Sequence, residues 1–150
     1  MKTTKALIAS LFLLATAGTA YAQQPTNYSN VVGTWVNVNA ATRGITKVVV
    51  TQSGGQLYIH TYGACTPTPC DHGTIAADAF SLSVSDAVTK GFSGEYHHGF
   101  KDTLVTGLRS GSLLALESRN KFAAGDNRYD YVGRELFRRK LILLPPVLTK

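Results

Sequence analysis

Aromatic rings alternate along one short stretch of the sequence, and they are the first candidates for binding chemistry. Tyr58, His60 and Tyr62 are interleaved with Leu57 and Ile59. Because successive side chains of a β-strand point to opposite faces, the three rings would share one face. If that face points into a barrel, it lines a polar, aromatic cavity suited to a small ligand. If Leu57 and Ile59 face the core instead, the rings cover the outside, and the alternation rule allows both arrangements.

The histidines offer a second chemistry, metal binding. His97 and His98 are adjacent, so on a strand they point to opposite faces and cannot both bind one ion, whereas at a turn they could. His60, Asp71 and His72 surround the two cysteines and could meet at one end of a barrel. None of these residues has the tight ligand spacing that is typical of a zinc site. We therefore predict no metal site and no cofactor.

Catalytic motifs are missing from the sequence. A nucleophile needs a positioned base and an oxyanion donor, and no Gly-x-Ser-x-Gly elbow occurs. Glu95, Glu117 and Glu135 stand singly on predicted strands, where a solvated or ion-paired role is more common than a catalytic carboxylate pair. The sequence therefore predicts a protein that is not an enzyme.

The two cysteines, Cys65 and Cys70, lie close together with two prolines between them. In an exported chain an even cysteine count predicts a local disulfide, and the prolines favour a tight loop. A metal site competes with this interpretation because Asp71 and His72 follow directly. Oxidation outside the cytosol would consume the thiolates, so we predict the disulfide.

The first residues indicate export. Two lysines precede an apolar run at 6–17 that is too short to span a bilayer, and Ala20-Tyr21-Ala22 is a small-x-small cleavage site. We predict a signal peptide at 1–22 and a secreted or periplasmic location typical of bacteria. An uncleaved membrane anchor is the alternative.

Length and charge limit the remaining possibilities. The 150 residues allow one domain after removal of the signal peptide, and the formal net charge is +6. Basic residues are scattered apart from the run Arg138-Arg139-Lys140, whereas a nucleic-acid binder would concentrate them on one face. We predict no nucleic-acid partner.

Residues 31–139 consist of short alternating segments separated by turn signals such as Ser53-Gly54-Gly55. Seven or eight strands without room for crossover helices predict an all-β, antiparallel up-and-down meander, and eight would close into a barrel. Residues 76–88 also fit a helical face, so a short helix or an irregular insert is open there.

The two ends of the mature chain differ in character. Residues 23–30 are polar, and we predict a flexible segment. Residues 140–150 form an apolar tail with a double-proline break, too short to span a membrane. The tail either folds back over a barrel mouth or sheet edge, or contacts an envelope surface or a protein partner.

The stretch Gly33-Thr34-Trp35-Val36-Asn37 carries the only tryptophan. A Gly-x-Trp on the first strand with an arginine from the last strand can close a barrel, because the indole plugs its end and the guanidinium stacks on the ring. We assign the closure to Gly33, Trp35 and Arg138. The motif, the meander and the late arginine resemble the calycin superfamily, which includes lipocalins and avidins. In avidins the asparagine of this motif binds the ureido oxygen of biotin, so the resemblance implies a ligand contact at Asn37.

These observations predict an exported, non-catalytic barrel that binds a small molecule through Asn37, Tyr58, His60 and Tyr62. The alternative is a periplasmic protease inhibitor or another protein-binding module. Small periplasmic inhibitors of bacterial metalloproteases are similar in size, carry a Gly-x-Trp and one disulfide, and insert a flexible N-terminus into the protease cleft. Residues 23–30 would be that segment here.

Overall fold

The computed structural model describes residues 24–141. The predicted signal peptide at 1–22 lies outside the described residues, as does the C-terminal tail from residue 142 onward. Nowhere between residues 24 and 141 does the chain form a helix with the length and apolar character needed to cross a bilayer.

Eight antiparallel strands follow one another around a closed barrel, and the last strand pairs with the first. This arrangement confirms the predicted all-β, up-and-down barrel of about eight strands. The strands are β1 (Gly33–Asn37), β2 (Ile45–Ser53), β3 (Gln56–Gly63), β4 (Cys70–Phe80), β5 (Gly91–His97), β6 (Lys101–Ser110), β7 (Leu113–Phe122) and β8 (Tyr131–Arg139).

Residues 76–88 contain no helix. β4 continues to Phe80, with Ala77 and Ala79 buried on its inner face, and an irregular loop follows. Val84, which would belong to the apolar face of a helix, is fully exposed. The helical spacing in this region therefore does not correspond to burial.

The up-and-down order collects the connections into two groups at opposite ends of the barrel. We call the end with the N-terminal segment the closed end, and the other the open end. The closed end comprises residues 24–32, 54–55, 81–90 and 111–112. The open end comprises residues 38–44, 64–69, 98–100 and 123–130.

Trp35 plugs the closed end. Its indole is fully buried, and Nε1 donates a hydrogen bond to the Val31 carbonyl at 2.8 Å. The Arg139 guanidinium lies 4.8 Å from the centre of the indole and donates to the Asn30 carbonyl. Gly33 has a φ of 139°, which L side chains rarely adopt, and it runs directly beside Arg139. The Gly-x-Trp motif is therefore part of a closed barrel end.

The closure arginine is Arg139, and the prediction that Arg138 has this role is wrong. Trp35 pairs directly with Arg139 across β1 and β8, so both side chains lie on the inner face. Arg138 pairs with Val36 and points outward. Because side chains alternate, a shift of one residue moves the guanidinium to the opposite face of the sheet.

The described part of the N-terminal segment packs onto the closed end, in contrast to the flexible segment expected over 23–30. Tyr28 is buried, and its hydroxyl donates to the Gly55 carbonyl at 2.6 Å. Asn27 forms a parallel bridge to Val88. One buried tyrosine within a polar stretch is sufficient to hold the segment, because it brings a large apolar surface and a hydrogen-bonding tip.

The inner face changes character along the barrel axis. Near the closed end it is apolar, and it includes the fully buried Phe92 and Phe137. Along β7, the inward positions change from Leu114 and Leu116 to buried Ser118 and Asn120 as the strand approaches the open end. Burial of large apolar side chains, each worth about 1.5–3 kcal/mol, thus holds one half together, while the other half is polar.

Candidate binding site at the open end

The ring-bearing face of β3 lies outside the barrel. Leu57 and Ile59 are fully buried in the core, so Tyr58, His60 and Tyr62 point away from the lumen. The His60 and Tyr62 rings stack at 4.3 Å between centroids on the outer surface. The three side chains therefore do not line the barrel interior, and a ligand role for them would have to be on the outside.

The Asn37 side chain ties the first strand to its neighbours. Its Nδ2 donates to the Ile45 carbonyl at 2.8 Å and to Glu135 Oε1 at 3.1 Å, and its Oδ1 accepts from the Asn39 amide. Both of its N–H groups are occupied, so it offers no free donor to a ligand. Asn37 lies apart from the three rings of β3, and the structure does not bring the four predicted residues together.

Glu135 anchors the loop between β1 and β2 beside Asn37. Its carboxylate accepts hydrogen bonds from the Thr42 hydroxyl and from the Ile45 amide. A Cβ on Gly44 would lie 2.6 Å from Glu135 Oε1, so the absence of a side chain at Gly44 permits this close approach. Glu135 is therefore committed to holding the rim of the open end.

A cavity of about 380 Å³ lies within the open end of the barrel. This volume falls in the range of pockets that hold small ligands. Polar side chains form much of its inner wall, beside apolar residues such as Ile45 and Val105. The wall includes Thr61, His72, Tyr96, His98, Lys101, Thr103, Ser118 and Asn120.

Tyr96 forms the floor of this cavity. Its ring is buried, and its hydroxyl accepts from the Thr61 amide and lies within hydrogen-bond distance of the Ile59 and Gly73 carbonyls. Burial raises the pKa of this phenol above its ordinary value, so it remains a protonated donor. The floor separates the apolar core from the polar mouth.

One wall is a hydrogen-bonded network centred on Asn120, which is only 5% exposed. Asn120 Oδ1 accepts from Lys101 Nζ and from the Thr103 hydroxyl, both at 3.0 Å. Its Nδ2 faces Ser118 Oγ at 3.4 Å. A Cβ on Gly133 would lie 2.7 Å from that oxygen, so glycine makes room for the hydroxyl. Asn120 thus holds the Lys101 ammonium in place.

A bulge in β4 brings His72 to the cavity. The pairing of β3 and β4 is irregular between His60 and Tyr62, and Gly73 adopts a left-handed φ of 82°. A glycine in this conformation is characteristic of one bulge type, which redirects the neighbouring side chain. His72 Nδ1 lies 3.0 Å from the Thr61 hydroxyl, which leaves Nε2 for a ligand.

The adjacent histidines His97 and His98 lie where β5 ends and the following turn begins, and their side chains point in opposite directions. His98 stacks on Tyr96 at 5.7 Å and faces His72 at the same centroid distance. His97 lies outside and contacts Asp102, with 2.8 Å between Nδ1 and Oδ1. With Glu95, these two outer residues place three possible metal ligands close together, all of them exposed.

The local environment shifts the pKa values of the histidines in different directions. Burial lowers the pKa of His72 below its ordinary value of 6.5, and the positive charges of His98 and Lys101 lower it further. Burial, then Lys101, lowers the pKa of His98 in the same way. The hydrogen bond that His97 donates to the Asp102 carboxylate instead raises the pKa of His97. At neutral pH both cavity histidines are therefore predominantly uncharged.

Burial also lowers the pKa of Lys101, and the nearby Arg128 adds to this shift. The ordinary pKa of a lysine ammonium is near 10.5, and Lys101 lines the cavity together with the arginines Arg43 and Arg134. The predicted disulfide Cys65–Cys70 is present, and both cysteines contribute to the rim of the cavity. It holds the ends of the loop between β3 and β4 beside His72.

Sequence reasoning missed most of this wall, although a signal for it exists. In the sequence, Ser118 and Asn120 alternate with the charged residues Glu117 and Arg119, which are typical of a solvent-facing side, so the alternation implies that Ser118 and Asn120 point inward. Polar residues at inward positions near a strand end indicate that this part of the barrel interior is accessible to water. Lys101 and Thr103 reach Asn120 because of the pairing register between β6 and β7, and the sequence alone does not specify that register.

A second concavity lies on the outer face, across β6, β7, β8 and the loop after β1, with a volume of about 740 Å³. Leu108, Ala115 and Leu136 give it an apolar base, and Glu117 and Arg134 form an ion pair at its edge. It is larger than the inner cavity, and the carboxylates that line it, Glu117 and Glu135, already accept hydrogen bonds from protein donors.

No protein-family model matches the chain, and neither a curated protein nor a solved structure is similar to it. The function of the barrel must therefore be argued from the site itself.

Proposed function

We propose that this protein is an exported barrel of calycin-like type that binds a small polar molecule in its open end, without catalysing a reaction. The observation that carries the proposal is the cavity of about 380 Å³ above Tyr96. Inward-facing polar side chains cost free energy when buried unless they are hydrogen-bonded. The network of Asn120, Lys101 and Thr103 retains such groups at positions where apolar residues would pack more simply.

The contacts in the cavity support binding rather than catalysis. Thr61 Oγ1 and His72 Nδ1 are 3.0 Å apart, which is the spacing of a nucleophile and its base. However, Thr61 is fully buried although it borders the cavity, so its hydroxyl presents little accessible surface for attack on a substrate. Glu135 is committed to the rim loop through Thr42 and Ile45. The packing of Tyr28 likewise counts against the free inhibitory arm that the protease-inhibitor alternative requires.

Native mass spectrometry of the protein purified from its own envelope or secreted fraction tests the proposal. We expect an additional small-molecule mass that is lost on denaturation. Bare protein throughout, under conditions that preserve other complexes, would contradict the proposal. Retention of a second polypeptide in place of a small molecule would favour the protein-binding alternative.

Two variants on β6 show which concavity holds the ligand. Thr103→Phe places a ring in the inner cavity, whereas Thr106→Phe places the same ring on the outer face, in the larger groove. We expect the first to remove the co-purified mass and the second to retain it. The reverse result would assign the ligand to the outer groove.

A further inference from the structure

The inner cavity has an excess of hydrogen-bond donors. A lysine ammonium has three N–H groups, and the structure assigns Lys101 one side-chain partner, Asn120 Oδ1. The Ser118 hydroxyl faces the Nδ2 donor of Asn120, so its own proton is free to point into the cavity. His72 keeps Nε2 available beyond its contact with Thr61.

Among residues 24–141, no carboxylate forms an ion pair with Lys101. Its neighbour Asp102 points outward to His97, because adjacent side chains alternate. Glu135, the acid that lines the cavity, accepts its hydrogen bonds from the rim loop and from Asn37.

A partly buried cation without a counter-ion has lost part of its hydration, and an anion that enters the cavity would restore this loss. The neutral histidines beside it contribute additional donors and gain charge if the anion raises their pKa. We propose that the bound small molecule is an organic carboxylate, whose anionic group contacts Lys101 and the available nitrogen of His72. This inference rests on the proposed function and specifies the class of ligand.

The probe pair benzoate and benzamide tests the inference, because the two molecules have nearly the same shape and differ in charge. Each is titrated into the full protein while the ring protons of the histidines are followed by NMR. We expect benzoate to shift His72 and His98, with His97 on the outer face as an internal reference. Benzamide is expected to bind at least about tenfold more weakly, because hydrogen bonds to charged groups are stronger than neutral ones.

Variants locate the anion. Lys101→Met keeps the apolar stem and removes the charge, and we expect it to weaken benzoate binding at least about tenfold. Lys121→Met, on the outer face of β7, is the matched control and should leave the affinity within about twofold. Asn120→Asp supplies Lys101 with an internal carboxylate, and Ser118 can rotate its hydroxyl to donate to it. We expect this variant to lose benzoate binding as well.

Equal binding of benzoate and benzamide that survives Lys101→Met would overturn the anion inference, while binding of a small molecule in the cavity would stand. Shifts of His97 without shifts of His72 and His98 would place the anion outside and also overturn it. No shift with either probe at about 50 mM would overturn it too, because about nine non-hydrogen atoms at about 0.4 kcal/mol each correspond to about millimolar affinity. The mass measurement on the purified protein decides the proposed function separately in each case.

Discussion

The two ends of the barrel are made from the same strands, yet they use their inward positions differently. At the closed end, Trp35 and the apolar rings below it are fully buried, and Arg139 ties the indole to the N-terminal segment. At the open end, the inward positions carry Lys101, Asn120 and two histidines around a cavity. The comparison indicates that one end supplies most of the stability, which allows the other to maintain buried polar groups. The predictions below test this division.

The largest effect is expected at the closed end. Trp35→Ala would leave a large cavity, and we expect a loss of about 3–5 kcal/mol in the free energy of unfolding, measured by denaturant titration. Tyr129→Ala removes an aromatic ring that is 92% exposed at the open end and should change stability by less than about 0.5 kcal/mol. Similar effects of the two substitutions would contradict the proposed division.

Substitution of the two neighbouring arginines of β8 tests which of them closes the barrel end. Arg139→Ala removes the contact with the indole and the hydrogen bonds to the carbonyls of Ser29 and Asn30. We expect it to cost about 1.5–3 kcal/mol, because these are charged hydrogen bonds at a partly buried site. Arg138→Ala is the neighbouring control and should fall within about 0.5 kcal/mol of the unsubstituted protein. A larger loss from Arg138→Ala than from Arg139→Ala would restore the original assignment.

Alanine substitutions at two glycines test how tightly the closed and the open end of the barrel are packed. A Cβ on Gly107 would lie 2.4 Å from the buried ring of Phe92, whereas a Cβ on Gly133 would lie 2.7 Å from the Ser118 hydroxyl. Overpacking a tight core costs about 1–3 kcal/mol, so we expect Gly107→Ala to be in this range. Gly133→Ala should cost less, because the Ser118 hydroxyl can turn into the cavity. Thermal unfolding of both variants provides the measurement, and equal losses would indicate that the open end is packed as tightly as the core.

The smallest effect is a pH dependence of stability at the open end. The folded-state pKa values of His72 and His98 lie below their unfolded value of 6.5, so the unfolded chain binds more protons in this window. Stability should therefore fall as the pH decreases from above 6.5 through the folded values, although Asp71 opposes the shift of His72.

A double variant, His72→Gln with His98→Gln, should flatten this decrease in urea titrations between pH 7 and pH 5. His97 has the opposite sign, because its pKa is raised by Asp102 and its contribution is present at low pH and lost as the pH rises through the folded value. His97→Gln should therefore steepen the loss at low pH. A double variant whose stability falls as steeply as that of the unsubstituted protein would contradict the electrostatic description of the cavity.

The sequence predicted the architecture well because its signals are local. Alternation over five to eleven residues, punctuated by turns such as Gly54-Gly55, indicated seven or eight strands in sequential order. The Cys65–Cys70 disulfide was predictable because its partners are five residues apart. Residues 76–88 were harder, since a few apolar residues fit a helical and a strand period equally well.

The sequence by itself determined that apolar and polar side chains alternate along the strands and where the turns fall. It also determined that a Gly-x-Trp motif begins the first strand. The tertiary structure decided which of two alternating faces points inward. It placed Leu57 and Ile59 inside and the rings of Tyr58, His60 and Tyr62 outside, and it selected Arg139 over Arg138. It also brought Lys101 of β6 to Asn120 of β7 above the Tyr96 floor. The physical reason is that alternation has a period of two and is unchanged when the faces are exchanged, so only pairing between distant strands and closure of the barrel resolve the choice.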